Sequence, residues 1–298
     1  MEDGLKALHD ILVRFATLQD SSFNDVSETF DFVECTANSL IPGSQARLFG
    51  SLATGLALTD SDIDIVILVP GLLNDGNDQV PKSDMKDHLK RIAKKIRSAS
   101  NSPLRVQNVI LNARIPIIKC CNKSGRLCDI SFGTTSGLSS VRVVREKVAE
   151  YPHLRPILLV LKQYLKSQNL NEPHSGGLSS YALFHMILSL LNTSGSSVVQ
   201  TDGLGGLLLH FLDFFGRKFD PTTMTVGPTG ILDKPSSSRA LTILDMMDAS
   251  KEVAKSASKY QAVLTSFDTA LATLTRGACH PPADQYICSY IMLFVQSR

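Results

Sequence analysis

No uninterrupted apolar run in the 298-residue chain reaches the roughly 18 residues that would suggest a membrane span. The N-terminus, MEDGLKALHD, has neither the apolar core of a secretory signal nor the Arg- and Ser-rich, acid-poor look of a transit peptide. The six cysteines (Cys35, Cys120, Cys121, Cys128, Cys279, Cys288) form no CxxC and no metal-type pairing with histidine. Without a signal peptide they read as reduced, buried small hydrophobes. The expectation is therefore a soluble intracellular protein, nuclear or cytoplasmic, neither secreted nor membrane-bound. Charge bias is also missing: at a formal net charge of +2, any site for a polyanion must be a local patch. There is no internal repeat, zinc finger, RRM or RGG tract, and so no separate RNA-reading module. What is present is an ordinary globular balance, 43% hydrophobic and 19% charged, enough for one large domain or two of usual size.

The pattern along the chain changes twice. Residues 5–18 carry apolar residues at helical spacing, and 23–40 predict a second helix stopped by Pro42 and Gly43. Residues 46–49 predict a short strand and 50–55 a small-residue turn. The nearly continuous β-branched run 63–69 predicts a strand buried on both faces. After a helix over 84–98, three further strands are expected at 104–111, 114–119 and 127–132. From 141 onward helices dominate (141–150, 154–168, 179–191, 204–215, 252–274), interrupted by loops at 192–203 and 221–238 rich in Gly, Ser, Thr or Pro. This divides the chain into a small α/β domain, 31–135, and a helical domain made of 1–30 and 136–298.

The chemistry begins with Gly50-Ser51, followed after ten residues by Asp62-Ile63-Asp64. If 62–69 is a strand, Asp62 and Asp64 project from one face, roughly 7 Å apart, a geometry suited to hard cations with oxygen ligands. Asp129 opens another strand and would complete a three-carboxylate cluster. Such a cluster can hold two magnesium or manganese ions for in-line displacement at a triphosphate. Gly50 lets the backbone approach phosphate closely, and Ser51 can donate its hydroxyl and N–H to phosphate oxygens. A lone Asp-x-Asp is weak, since most are surface or turn acids. Joined to Gly-Ser, to a buried strand and to a later strand-borne Asp, the pattern is strong.

These residues resemble the DNA polymerase β-like nucleotidyltransferases, and within them the noncanonical poly(A) polymerases and terminal uridylyltransferases, most of all the nuclear RNA-surveillance type. The similarity runs through Leu48-Phe49-Gly50-Ser51, Asp62-Ile63-Asp64-Ile65-Val66, Ile115-Pro116-Ile117-Ile118-Lys119 and Asp129-Ile130-Ser131-Phe132. It is most specific at Arg155 to Leu165, Leu170-Asn171-Glu172 and Gly176-Gly177-Leu178-Ser179-Ser180-Tyr181. The resemblance implies an α/β palm (a mixed sheet with flanking helices) plus a mainly helical domain, with an active-site cleft between them. It implies that Asp62 and Asp64 bind both metals, and that Asp129 binds the catalytic metal and helps activate the RNA 3′-hydroxyl. It implies that Lys162 and Lys166, at i and i+4 on one helix, reach one triphosphate. Ser180 would bond a phosphate, Tyr181 would stack under the base, and Asp245 would lie in the base-recognition loop. Taken alone, the two lysines read as a solvated helix face and Tyr181 as core.

Some positions depart from the family pattern. Where relatives read Ile-Glu-Asp-Pro and then Asn-Asp-Val-Gly-Arg or a His-containing variant, this chain has Ile243-Leu244-Asp245-Met246 and, further on, Lys251-Glu252-Val253-Ala254-Lys255. Lys251 stands where relatives separate adenine from uracil. Its donor-only ammonium suits a base carbonyl better than an exocyclic amine. Gly133 and Ser136 stand where relatives often carry Asn, and Ser136 could still bond a ribose hydroxyl. The basic helix face of Lys86, Lys90, Arg91, Lys94, Lys95 and Arg97 reads as solvated rather than as an RNA track, because Asp87 and His88 interrupt it. The expected activity is template-independent addition of AMP from ATP to an RNA 3′ end, with an RNA-binding protein partner choosing the RNA. Addition of UMP from UTP is the alternative, and a catalytically retired nucleotide-binding scaffold is the second.

Overall fold

The computed structural model describes residues 2–20, 24–69, 82–113, 115–132, 135–234 and 241–277. By internal contacts the chain divides into two units, Gln19–Glu150 and a second formed by Met1–Leu18 with Tyr151–Arg298.

The first unit is built on a five-stranded mixed sheet. Its strands are β1 (Gln45–Phe49), β2 (Ile63–Leu68), β3 (Leu104–Ile110), β4 (Ile117–Asn122) and β5 (Leu127–Phe132), in the order β1-β2-β5-β4-β3. Only the β2–β5 pair is parallel. Helices α2 (Asn24–Leu40) and α4 (Lys82–Ser98) pack on one face through Val33, Ala37, Leu89, Ile92 and Ile96. Ile63, Ile65 and Ile67 of β2 point into that core and are at most 1% exposed. A one-residue slip would expose all three and bury Asp64 in their place. With each buried Ile worth about 1.5–3 kcal/mol, the register is strongly fixed. Two further helices, α3 (Gly50–Thr54) and α5 (Thr135–Glu150), complete the unit and touch each other.

The second unit is mainly helical: α1 (Glu2–Leu18), α6 (Leu154–Ser167), α7 (Ser180–Leu190), α8 (Ser196–Asp213) and α9 (Tyr260–Gly277). A small hairpin, β6 (Met224–Gly227) and β7 (Gly230–Asp233), is added. Helix α1 packs on α6 and α8 through Leu8, Leu12 and Phe15, while Phe211, Phe215 and Phe267 form an aromatic cluster where α8 and α9 meet.

Several local expectations need correction. Residues 50–54 form a short helix rather than a turn, closed by Gly55 at φ +75°. The expected loop 192–203 is a π turn followed by helix. Its hydroxyls bond back to carbonyls of the preceding turn (Ser196 to Leu191, Ser197 to Ser194, Thr201 to Val198), so a loop-like composition is accommodated in an exposed helix. The expected loop 221–238 contains the β6–β7 hairpin. The helix expected from 252 begins only at Tyr260, because Glu252 and Val253 bond back to Leu244 and Ile243. Cys120 and Cys128 are buried free thiols as expected, but Cys35 is exposed on α2. None of the described helices is long and apolar enough to cross a membrane.

Candidate active site

The sheet brings two of the three acids together by register. Asp64 of β2 lies directly opposite Asp129 of β5, and Asp129 lies opposite Lys119 of β4. Opposed residues on neighbouring strands project from the same face, so Asp64, Asp129 and Lys119 form one row. The Lys119 ammonium sits 3.4 Å from the Asp129 carboxylate. Asp62 is exposed and immediately precedes the strand, which begins at Ile63. Among the described residues, no three His, Cys, Asp or Glu side chains converge closely enough to hold an ion as they stand. The donor set nonetheless fits magnesium or manganese, since all the candidate ligands are hard carboxylate oxygens.

Gly50 takes part in this row directly. It sits at φ +60°, and a β-carbon there would press into the Asp64 carboxylate, 3.1 Å from its Cγ. The space a side chain would need is thus filled by Asp64. Ser51 follows in the first turn of α3, half-exposed, with its carbonyl accepting the Leu56 N–H.

The turn that delivers Asp62 is braced by residues the sequence reading did not single out. Arg126 donates to the Ser61 carbonyl (3.1 Å) and to the Asp25 carboxylate (2.8 Å), while the Ser61 hydroxyl accepts the Leu58 N–H (2.9 Å). Partial burial opposes ionisation of Asp25. Hydrogen bonds from Asn122, Arg126 and Ser124, with the Arg126 charge, outweigh it and bring the carboxyl down to about 2. A depressed carboxylate stabilises the fold above its unfolded pKa and loses that contribution as pH falls. Asp25→Asn is therefore expected to lower stability at pH 7 by about 1–3 kcal/mol. The gap to wild type should close as pH falls from 3.8 towards about 2, as read by urea denaturation across pH. A gap independent of pH would remove the charge from this account.

In the helical unit, Lys162 and Lys166 lie one turn apart on α6, both half-buried. Ser179, not Ser180, caps α7, its hydroxyl accepting the Ala182 N–H at 3.0 Å. Ser180 opens the helix, and Tyr181 follows it. The Tyr181 ring lies parallel to Phe184 and its hydroxyl donates to Asp245 (3.3 and 3.4 Å to the two oxygens). The loop from Asp245 to Lys251 is closed by the Asp245 N–H on the Lys251 carbonyl (2.8 Å). The Lys251 ammonium is turned to Asp248, 3.1 Å away, and is largely exposed. Gly133 and the Ser136 side chain lie outside the described residues.

The register of Lys119 was open to reading: the Lys123-Ser124-Gly125 turn, centred between β4 and β5, sets Lys119 against Asp129. Asp25 and Arg126 gave no such signal, being 101 residues apart.

A family model described as "Poly(A) RNA polymerase, mitochondrial-like, central palm domain" matches residues 6–145. The poly(A) RNA polymerase cid14 of Schizosaccharomyces pombe is 34% identical over 252 residues, covering 78% of this chain and 35% of that protein. This chain spans about a third of the length of the curated relatives it matches first. The fold matches the polymerase core of TRAMP, described as an RNA surveillance complex (TM-score 0.72, 24% identity, 89% of this chain and 85% of that one). It also matches the Cid1 poly(U) polymerase, described with MgGTP bound (TM-score 0.73, 21% identity, 93% and 98%). With the Gly-Ser turn and the strand-borne carboxylates in place, residues 6–145 match a palm domain of the poly(A) RNA polymerase type, and the chain is a homologue of the noncanonical poly(A) RNA polymerases.

Proposed function

We propose that this chain is a template-independent RNA 3′-terminal nucleotidyltransferase that transfers AMP from ATP. The observation that carries this reading is the opposition of Asp64 and Asp129 on parallel neighbours, with Asp62 at the mouth of the same strand. Asp62 and Asp64 would hold two magnesium ions, and Asp129 the one nearer the primer. Bound there, the ions offset the charge of the triphosphate and favour ionisation of the attacking hydroxyl. Asp129 orients the 3′-hydroxyl and draws its proton. Lys162 and Lys166 bind triphosphate oxygens as point charges, Ser51 and Ser180 donate hydroxyls to them, and Tyr181 stacks the base. The 3′-oxygen bonds to the α-phosphorus as the bond to pyrophosphate breaks in line. A partner that binds RNA supplies substrate choice, a reading supported by the similar polymerase core being described as part of a complex.

The test is incubation with a labelled RNA primer and each of ATP, UTP, GTP and CTP separately. A ladder is expected with ATP. No extension with any nucleotide would sink the transferase reading and leave the scaffold.

Lys251 favours the uridylyl alternative, since it can donate to uracil O4 but finds only a donor at adenine N6. Lys251→Asn should therefore raise the ATP-to-UTP ratio of kcat/KM by about fivefold, roughly 1 kcal/mol. An unchanged ratio would confine Lys251 to its pair with Asp248 and move selectivity to Asp245.

A further inference from the structure

His185 is a buried polar residue to which the mechanism gives no role. It lies on α7 one turn after Tyr181, within a stretch buried continuously from Ala182 to Leu190. Its Nδ1 is 2.8 Å from the Tyr181 carbonyl oxygen, and its Nε2 is 3.1 Å from the Met246 amide nitrogen. A carbonyl can only accept and an amide N–H can only donate. The ring must therefore carry its proton on Nδ1 and present a lone pair at Nε2, which is the neutral imidazole in one fixed tautomer. Burial holds its pKa below the usual histidine range, against the Tyr181 carbonyl and the Asp245 carboxylate, which draw it upward. The same ring packs edge-on against Tyr181, with centroids 4.5 Å apart.

Met246 directly follows Asp245, so Tyr181 and His185, one turn apart, grip successive loop residues. The two grips differ in quality. The Tyr181 hydroxyl reaches Asp245 only at 3.3 and 3.4 Å, the long end for an O–H donor. The His185 bond is to backbone and is shorter. The loop is stiff in itself, through Asp245 N–H to Lys251 and Met247 N–H to the Asp245 carboxylate, each 2.8 Å. Its base is tied to β6 by the Leu244 N–H on Val226 (2.9 Å). What remains to be fixed is where this stiff unit sits relative to Tyr181. The family pattern places proline, which has no N–H, at position 246; here methionine supplies the donor and His185 accepts it.

We propose that His185 is a positioning residue for base selection, locking the Asp245–Lys251 loop in register with the Tyr181 ring. The proposal rests on the nucleotide-binding role of Tyr181 and Asp245 given above. Two measurements test it on wild type, His185→Leu and His185→Gln: equilibrium binding of ATP and of UTP with magnesium, and hydrogen exchange at the Met246 amide. In His185→Leu the Met246 amide should exchange about tenfold faster, and the ratio of the two dissociation constants should shrink about fivefold, as expected for loss of one buried hydrogen bond. Exchange along β2 should not change. Gln can offer its carbonyl to the Met246 N–H and should restore the ratio to within about twofold. If His185→Leu fails to fold, Gln must keep the ratio while the shorter Asn loses it.

Unchanged Met246 exchange overturns the proposal, as does faster exchange with an unchanged ratio, or a wild type that binds ATP and UTP equally. A wild type that discriminates between nucleotides but extends no primer would overturn the transferase reading and leave the role of His185 standing.

Discussion

Replacing Asp64 with alanine is expected to abolish nucleotide addition, by roughly a thousandfold or more, while the palm stays folded. A loss of that size corresponds to about 4 kcal/mol of transition-state stabilisation, within reach for the role proposed for Asp64 as a ligand of both metals. The structure also argues that the fold will survive. Asp64 is half-buried at the end of its strand, while the isoleucines on either side, Ile63 and Ile65, carry the packing. Removing one of several neighbouring acids relieves like-charge repulsion, and Asp129 keeps its partner Lys119. The melting temperature should equal or slightly exceed that of wild type, as happens when a site is held together at the expense of stability. Asp62→Ala should behave alike, being exposed. Primer extension at matched protein concentration, beside a thermal melt, decides the matter. Comparable extension by Asp64→Ala and wild type would remove the carboxylates from the chemistry altogether.

The parts of this arrangement that could be read in the sequence are those written in local pattern. The β-branched run after Asp62 announces β2, and Asp129-Ile130-Ser131-Phe132 announces β5, because strands of this kind need little context to declare themselves. The pairing of β2 with β5 has no local trace: it joins segments about sixty residues apart, through α4 and two other strands. The helical stretch 196–203 at the start of α8 was hidden for the opposite reason, since Ser, Thr and Gly advertise a loop while their hydroxyls can also satisfy helical carbonyls. His185 was invisible because a single histidine in an apolar helix reads as core, and its partner Met246 lies sixty-one positions away. At Gly50 the sequence suggested only a close approach of backbone to phosphate, and nothing in it showed how near Asp64 lies.

That contact gives the second large expectation. Gly50→Ala should reduce activity by roughly a hundredfold or more, yet cost only about 1–2 kcal/mol of stability, the price of a left-handed backbone at a residue with a β-carbon. The two effects separate because the atoms in the way belong to a side chain. The new methyl group would collide with the Asp64 carboxylate, and a short side chain can turn aside with little loss to the fold. An Asp64 turned aside no longer aligns with Asp129, and catalytic constellations tolerate displacements of only about 0.5 Å. Gly55 supplies the control. Its φ is +75°, but nothing lies within 4 Å of where its β-carbon would be. Gly55→Ala should therefore show the backbone penalty of about 1 kcal/mol without the loss of activity. In an Asp64→Ala background the collision is gone, and the stability cost of Gly50→Ala should fall to that of Gly55→Ala. Denaturation of wild type and the four variants, with primer extension for the two single glycine variants, measures each term. Equal activity losses in Gly50→Ala and Gly55→Ala would show that backbone strain in α3, not the crowding of Asp64, governs the site.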